Sequence, residues 1–289
     1  MFDFQPAVVR KILNRLLVLK RTRYQRAHGD PECALLRHLV APAESSVDVG
    51  ANRGIYTWSL GRLSRHVYAF EPNPELAALL RETFGKRVEV LACGLSDTEG
   101  TLTLWIPRRG GRELVGRSSM MREAIAEFEL RSIEVPVRTL DSLGLDDVGF
   151  MKVHAEGHEF AILRGARQTL ERCRPTLLVG AQSRFTQEDP DRIFAYLSKL
   201  GYGGYFFEHG RLRPFRCFDI KMHQRSETVL QAGQRAYNTD YIYNFIYLHP
   251  SRPTVPERLA GHWSGEPYEP PGSGGHSRRQ TVAGIATAS

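Results

Sequence analysis

The stretch from Ser46 to Leu80 most constrains how this chain folds. A short apolar strand around Val49 runs directly into the glycine-bearing turn Gly50–Gly54, and a helix follows as far as Leu63. A second apolar strand, His66–Phe70, comes next and ends in an acid. Strand, helix and strand in this order predict an α/β fold built on a doubly wound, mostly parallel sheet.

The turn and the acid Glu71 together predict a nucleotide-type site. Glu71 lies 21 positions after Gly50, close to the spacing of about 20 at which a carboxylate meets a ribose. The pattern Asp48-x-Gly50-x-x-x-Gly54 lacks the third glycine of a dinucleotide motif, and an acid at a strand end suits a cation better than a phosphate. S-adenosylmethionine, which carries an ammonium and a sulfonium, is therefore favoured over NAD. The alternative is that the glycines only permit the turn.

Separate motifs in a fixed order resemble the FkbM-type methyltransferase family. They are DVGANRGIYT, FEPNPELAALL, GRSSMM, VRTLDSL, MKVHAEGHEFAILRGA and RPTLLVG, over roughly Ser45 to Gln182. Members depend on S-adenosylmethionine and mostly methylate hydroxyl oxygens. The resemblance implies a Rossmann-like fold of the class I methyltransferase type, preceded here by an N-terminal helical arm. It also implies an acceptor hydroxyl on a sugar or small metabolite.

The cofactor contacts that these motifs imply lie in the turn, after the second strand and after the third. Asp97 could accept from the adenine amino group or could simply open the turn that follows it. The implied contacts are Asp48, Gly50, Asn52, Gly54, Glu71, Asn73, Cys93 and Asp97.

Candidate catalytic residues follow the predicted strand Gly149–Val153. Methyl transfer to a hydroxyl requires a base for its proton, and His154 is the first choice with Glu156 as the alternative. Lys152 could steady a developing alkoxide. The family pattern places acids at positions 154 and 180, where this chain has His154 and Gly180. A catalytically degenerate cofactor-binding or scaffold protein is therefore the alternative function.

The same segment contains His158, Glu159 and a candidate metal site. His158 is expected on the surface, and Glu159 is expected to be an acid favourable to a helix N-terminus. His154, Glu156 and His158 alternate along the chain and could together bind a metal. Because Gly157 is expected to break that alignment, no metal is predicted.

The polar segment Pro107–Arg122 carries five arginines and is predicted to be a loop that covers the substrate. Ser118 and Ser119 match the family motif, and Arg112 could hold an anionic or hydroxylated acceptor. The alternative is a solvated surface loop.

The positive charge is concentrated at one end of the chain. Seven basic residues stand against one acid in residues 1–28, which gives +6 of the formal +7. Residues 1–29 are predicted to be a basic amphipathic helical arm that packs on the domain with a solvated basic side. The alternative is a weak membrane-surface contact through residues 6–27. No nucleic-acid partner is expected, because no aromatic residues alternate with the basic ones.

Residues 30–250 are predicted to form the methyltransferase domain, and the Pro- and Gly-rich residues 251–289 a disordered tail anchored only by Trp263 and Tyr268. The chain has no apolar run of the roughly 20 residues that span a membrane, and no signal-peptide pattern. Its four cysteines are scattered. A cytoplasmic location is expected, with a peripheral one at the inner membrane as the alternative.

Overall fold

The computed structural model describes residues 7–115, 118–182, 190–225 and 241–252, together with residues 255, 258, 259 and 261. The helices in chain order are α1 (Ala7–His28), α2 (Glu32–Leu39), α3 (Ile55–Leu63), α4 (Pro74–Thr83), α5 (Glu159–Arg164), α6 (Arg167–Cys173), α7 (Pro190–Lys199) and α8 (Ile220–His223). The strands are β1 (Ser45–Val49), β2 (Val67–Phe70), β3 (Val88–Leu91), β4 (Gly94–Leu95), β5 (Gly100–Arg109), β6 (Arg112–Glu113), β7 (Glu129–Arg138), β8 (Val148–Val153), β9 (Thr176–Gly180), β10 (Gly203–Glu208), β11 (Arg211–Pro214) and β12 (Asn244–Leu248).

One large sheet organises the fold. Its strand order is β11-β10-β12-β9-β8-β1-β2-β3. The five strands from β9 to β3 are parallel, whereas β12, β10 and β11 run antiparallel to their neighbours. The predicted doubly wound, mostly parallel sheet is thus confirmed.

Apolar side chains cover both faces of this sheet. In β8, Met151 and Val153 pack into a core that includes residues of α5, α6 and α7. Phe150, the residue before Met151, faces the opposite way, towards residues of α2 and α3. Successive side chains of a strand alternate in direction, so an unbroken apolar strand needs helices on both sides. The carboxyl ends of the parallel strands are left for the site.

A smaller sheet lies beside the first, with the strand order β4-β7-β5-β6. The alternating pattern of residues 101–106 predicts a hairpin strand paired with residues 133–137. The structure confirms this pairing, since β5 and β7 run antiparallel with residues 100–108 opposite residues 129–137. Part of the predicted loop Pro107–Arg122 is strand-like rather than loop, because β6 folds back on β5 and Ser119 forms a bridge to Trp105.

The sequence predicts one helix over Phe160–Leu170, but the structure has two helices there, α5 and α6. The break falls at Gly165, where a side chain would begin only 1.9 Å from the backbone oxygen of Ser96. The chain therefore approaches another backbone segment at this point, and glycine is what permits it. Apolar periodicity continues across the break, which is why the sequence suggested one helix.

Helix α1 packs on α3 and α4 rather than standing free. Arg15 Nε donates to the carbonyl of Thr83 at 2.9 Å, and Arg10 pairs with Glu82 at 2.8 Å. The side facing away from the domain is aliphatic over residues 8–17, so the expected solvated basic side is wrong for that half of the helix.

The chain remains packed beyond residue 250. Arg252 donates from Nη1 to Glu44 at 2.6 Å and from Nη2 to the carbonyl of Cys173 at 2.9 Å, while Val255 and Leu259 are buried. The predicted start of a disordered tail at 251 is therefore too early. The predicted anchors Trp263 and Tyr268 lie outside the described residues. Over the part of the chain that is described, none of the helices has the length and apolarity needed to cross a bilayer.

We expect Gly165→Ala to destabilise the protein by about 1–3 kcal/mol, the usual cost of forcing extra volume into a packed site. The added carbon would press on the Ser96 carbonyl, which is backbone and cannot move away alone. Gly61→Ala is the matched control: its added carbon meets Val88 Cγ2 at 3.4 Å in the interior of α3, where alanine is favoured. Urea denaturation measures both. Equal stability of the two variants would contradict the close-approach argument.

Candidate functional site

A cavity of about 380 Å³ opens at the carboxyl ends of the parallel strands. Its walls come from the turn after β1, the acid after β2, the segment after β8 and the small sheet. This is where open α/β sheets place their ligands, and the volume is within the range of small-molecule sites. Several sequence-predicted site residues line it: Gly50, Asn52, Glu71, Ser118, Lys152, His154 and Glu156.

The floor of the cavity is the point where β1 and β8 end together. Gly50 has φ +72°, and a side chain there would begin 2.0 Å from the backbone oxygen of His154. Lys152 fastens the same turn, since its Nζ donates to the carbonyls of Val49 at 3.0 Å and Gly50 at 2.9 Å. Only glycine allows this approach, so the backbone itself forms the floor.

Glu71 holds the far side of the turn. One carboxylate oxygen accepts from the backbone N–H of Asn52 at 2.7 Å, and the other from that of Asn73 at 2.9 Å. Burial raises the pKa of this carboxyl to about 7, although the two backbone donors pull it down. Each oxygen keeps a second lone pair for a ligand donor, because a carboxylate oxygen accepts more than one hydrogen bond.

Asp48 does not face the cavity, contrary to the expectation that it would meet a cationic ligand. Its side chain is fully buried, accepts from Thr57 Oγ1 at 2.6 Å and pairs with Lys152 Nζ at 3.3 Å. The strand alternation turns it towards α3, so its cation is a lysine of this chain.

Four other predicted cofactor residues also lie off the cavity lining. Gly54 packs against Leu80 and Phe84, where a side chain would collide at less than 3 Å. Asn73 caps α4, its Oδ1 accepting from the backbone of Glu75 at 3.0 Å. Cys93 is buried in the core, and Asp97 pairs with Arg164 at 3.3 Å. On the third-strand side, the lining is instead formed by Gly94 and Leu95.

His154 is the residue that the cavity leaves least satisfied. Its Nε2 is buried and has no hydrogen-bond partner among the described residues, since Glu156 Oε1 is 3.8 Å away. Burial lowers the pKa of this imidazole below its usual range, against the pull of the Glu156 carboxylate. The ring lies over Gly180, where a side-chain carbon would begin 3.1 Å from it. A neutral imidazole whose nitrogen has no hydrogen-bond partner can accept a proton.

Lys152 and Glu159, which lie near His154 in the sequence, both form hydrogen bonds with backbone groups of the loops around the cavity. Lys152 donates hydrogen bonds to two backbone carbonyls, and its charge is paired with Asp48 Oδ1 at 3.3 Å. That it could steady a developing alkoxide stays a prediction. Glu159 accepts from the backbone N–H groups of Ala155 and Gly157 at 2.8 and 2.9 Å. This carboxylate thereby clamps the turn that carries Glu156, which has φ +46°.

A carboxylate that the sequence did not single out completes the wall. Asp30 lines the cavity, accepts from Tyr56 Oη at 3.1 Å and accepts a second hydrogen bond from Tyr243 Oη. The Tyr243 ring centroid lies 5.9 Å from that of His154. Asp30 precedes the first strand and belongs to no motif, so only the tertiary fold brings it here.

The segment after β6 contributes Ser118 and Met120 to the cavity. Ser119 is buried and donates from Oγ to the carbonyl of Glu156 at 2.7 Å, which ties this segment to the loop after β8. Arg112 is exposed in β6 and does not line the cavity, so its contact with the acceptor stays a prediction.

His158, expected on the surface, lines the cavity instead. Its Nε2 lies 3.0 Å from Ser96 Oγ, and burial lowers the pKa of its imidazole. Within the described residues, no three His, Cys, Asp or Glu side chains are grouped so that they could hold a metal ion.

Comparisons with known proteins bear on the family. The model of the methyltransferase FkbM domain matches residues 48–203, which is more than half of the chain. That region contains the turn after β1, Glu71, β8 and His154. No curated protein matches the sequence.

Three solved structures illustrate the likeness. An FkbM methyltransferase from Methylobacillus flagellatus KT has 14% identity and a TM-score of 0.44, with 83% of this chain and 59% of that one covered. A SAM-dependent methyltransferase from Aquifex aeolicus has 14% identity and a TM-score of 0.40, with 84% and 97% covered. An rRNA methylase from Streptococcus thermophilus has 12% identity and a TM-score of 0.40, with 75% and 92% covered. This chain thus spans about three fifths of the first structure's length.

We expect the stability of the protein to fall as the pH rises towards 8, in part because of Glu32. Burial, and then the charge of Asp30, raise the pKa of this carboxyl from 4.5 to about 8. Between pH 4.5 and pH 8 the folded state therefore holds a proton on Glu32 that the unfolded state has lost. The contribution of Glu32 to stability is fully present below about pH 4.5 and declines up to about pH 8, by at most about 1.4 kcal/mol per pH unit for one proton. Glu32→Gln should flatten this decline, since an amide oxygen can still accept from Asn244.

Urea denaturation at a series of pH values measures the effect. Glu71 and Glu159, whose pKa values are about 7, contribute a decline of their own, so the difference between wild type and Glu32→Gln is read above pH 7. Glu99→Gln, on an exposed side chain, is the control. Parallel curves for wild type and Glu32→Gln would rule out a raised pKa at this position.

Proposed function

This chain belongs to the FkbM methyltransferase family, and from that premise we propose that it binds S-adenosylmethionine and methylates a hydroxyl oxygen of a sugar or small metabolite. The observation that carries the proposal is the imidazole of His154, which lines a cavity at the carboxyl ends of β1, β2 and β8 and whose buried Nε2 has no hydrogen-bond partner among the described residues. A base in the wall of a pocket of this size is what methyl transfer to a hydroxyl requires.

The residues of the cavity fit the cofactor. Because Gly50 has no side chain, the backbone segments after β1 and β8 meet, and backbone forms the floor within reach of a ligand. Glu71 ends β2 with a buried carboxylate that suits two ribose hydroxyls. Gly94 and Leu95 supply the apolar surface on which an adenine would lie. When bound, S-adenosylmethionine supplies a methyl group on a positively charged sulfur and leaves as neutral S-adenosylhomocysteine.

His154 is the proton acceptor in this proposal. Its lowered pKa keeps the imidazole neutral near pH 7, so Nε2 can take the proton that the acceptor hydroxyl loses. The resulting imidazolium is stabilised by Glu156, 3.8 Å away, and by the nearby carboxylate of Asp30. The protein's remaining task is to align the acceptor and exclude water, because the sulfonium is already activated.

The non-catalytic alternative is not favoured. It rested on the loss of acids at positions 154 and 180. Besides Glu71, the cavity is lined by the carboxylates Asp30 and Glu156, and the imidazole occupies the volume that Gly180 leaves open. These features support a site that still accepts a proton, through an imidazole instead of the two acids.

We expect Glu71→Ala to weaken binding of S-adenosylhomocysteine by about 1–3 kcal/mol, the scale of a lost hydrogen bond to a charged group. Isothermal titration calorimetry measures the dissociation constant. Glu89→Ala is the control, since it removes an exposed carboxylate from β3, the strand next to β2. Because Glu71 also holds two backbone N–H groups, the thermal unfolding of each variant is recorded first. Unchanged affinity in a folded Glu71→Ala protein would remove the ribose assignment.

We expect His154→Gln to lower kcat about 10²–10⁴-fold while the affinity for S-adenosylhomocysteine stays within about twofold, because the base acts on the acceptor. Methyl transfer from labelled S-adenosylmethionine to a panel of sugars, nucleosides and hydroxy acids is the assay. His66→Gln, on the opposite end of β2, is the control.

In a plot of kcat against pH, the wild-type rate should begin to fall only below the ordinary histidine pKa of about 6.5, because the pKa of His154 is lowered.

If the wild type transfers no methyl group and His154→Asp combined with Gly180→Glu does, the scaffold alternative is correct and the proposal fails.

A further inference from the structure

The outward side of α1 carries an aliphatic surface in its first half. Two rows of residues, each spaced four apart and therefore adjacent on one side of the helix, are 40–69% exposed. We call them the outer face of α1: Val8, Val9, Ile12, Leu13, Leu16 and Leu17.

The opposite side of the same helix is the one that packs on the domain. Val18 and Thr22 are buried there, and Thr22 Oγ1 donates to the carbonyl of Ile55 at 3.4 Å. The helix is thus already docked through one side, so the exposure of the outer face is not the exposure of an unfolded arm. No described residue covers it, and six neighbouring aliphatic side chains form a larger apolar surface than scattered exposed residues do.

Positive charge follows the outer face towards the C-terminal end of α1. Lys20 continues one aliphatic row by a further turn, and Arg23 lies one turn after that, both exposed. The helix contains no acid between Ala7 and His28. An aliphatic strip followed by cations on the same helix suits a surface that is apolar inside and anionic at its boundary.

We propose that the outer face of α1 binds the surface of an anionic phospholipid bilayer. The aliphatic side chains enter the boundary of the acyl chains, and Lys20 and Arg23 meet the headgroups. A second copy of this chain fits less well, because a symmetric pairing of α1 helices would bring like charges together in the contact. The same helix reaches the cavity through Gln25, so the proposed membrane contact adjoins the functional site.

Co-sedimentation of the full-length chain with vesicles tests the proposal. We expect binding to vesicles of phosphatidylcholine mixed with phosphatidylglycerol, and at least about tenfold weaker binding to phosphatidylcholine alone. Ile12→Ser combined with Leu16→Ser should reduce binding to the mixed vesicles by at least about tenfold. Met222→Ser is the matched control, because it removes a 63% exposed apolar side chain from α8.

The charge requirement has its own pair of variants. Lys20→Glu combined with Arg23→Glu should lose binding to the mixed vesicles, whereas Lys199→Glu, exposed at the end of α7, should retain it. Circular dichroism and S-adenosylhomocysteine titration verify that each variant is folded, and vesicle binding itself needs no methyl transfer.

Three outcomes would overturn the proposal. The first is a wild-type chain that does not sediment with the mixed vesicles. The second is equal binding by wild type and either double variant. The third is a wild-type dimer, measured by light scattering, that Ile12→Ser with Leu16→Ser converts to a monomer, because the outer face would then be a subunit interface.

Discussion

The site depends on one close approach, that of the backbone after β1 to the backbone after β8. Gly50 lies where a side chain would begin 2.0 Å from the carbonyl oxygen of His154. Lys152 then holds the two strand ends by donating to Val49 and Gly50 and by pairing with Asp48. A buried ion pair is costly to form, but removing one partner would leave an uncompensated charge under the cavity floor. This constraint fixes both the side of the cavity that holds Glu71 and the side that holds His154.

Buried carboxylates hold the remaining loops, and they do so at the expense of stability near neutral pH. Glu71 and Glu159 each accept two backbone N–H groups from turns that border the cavity. Burial raises the pKa of both to about 7. Backbone donors in such turns cannot pair with water once buried, so an acceptor must be supplied from within the protein. Acids at strand ends therefore need not be ligands, and their first role here is to shape the turns.

The sequence predicted the strands and most helices because apolar periodicity is a local property. It predicted the cavity's position because strand ends meet at one edge of a parallel sheet. The predictions from sequence failed where the structure depends on the direction of a side chain or on packing between distant segments of the chain. Asp48 faces α3 instead of the ligand because of the strand's alternation, and Gly165 breaks a helix because Ser96 approaches it from far along the chain. Asp30 reaches the cavity only through its tyrosine partners, one of them Tyr243. No local pattern encodes such a contact.

The two departures from the family pattern are one structural change. The imidazole of His154 lies 3.1 Å from where a side chain at position 180 would begin, so a glutamate there would contest the same volume. Glycine at 180 is therefore what allows a ring at 154. With both acids gone, the nearest carboxylates are Glu156 on the same loop and Asp30 from the segment before β1. A neutral base flanked by two carboxylates can accept a proton and stabilise the cation that forms. Under the proposed function, the residues at positions 154 and 180 provide for proton acceptance with a different set of groups from the two acids of the family pattern.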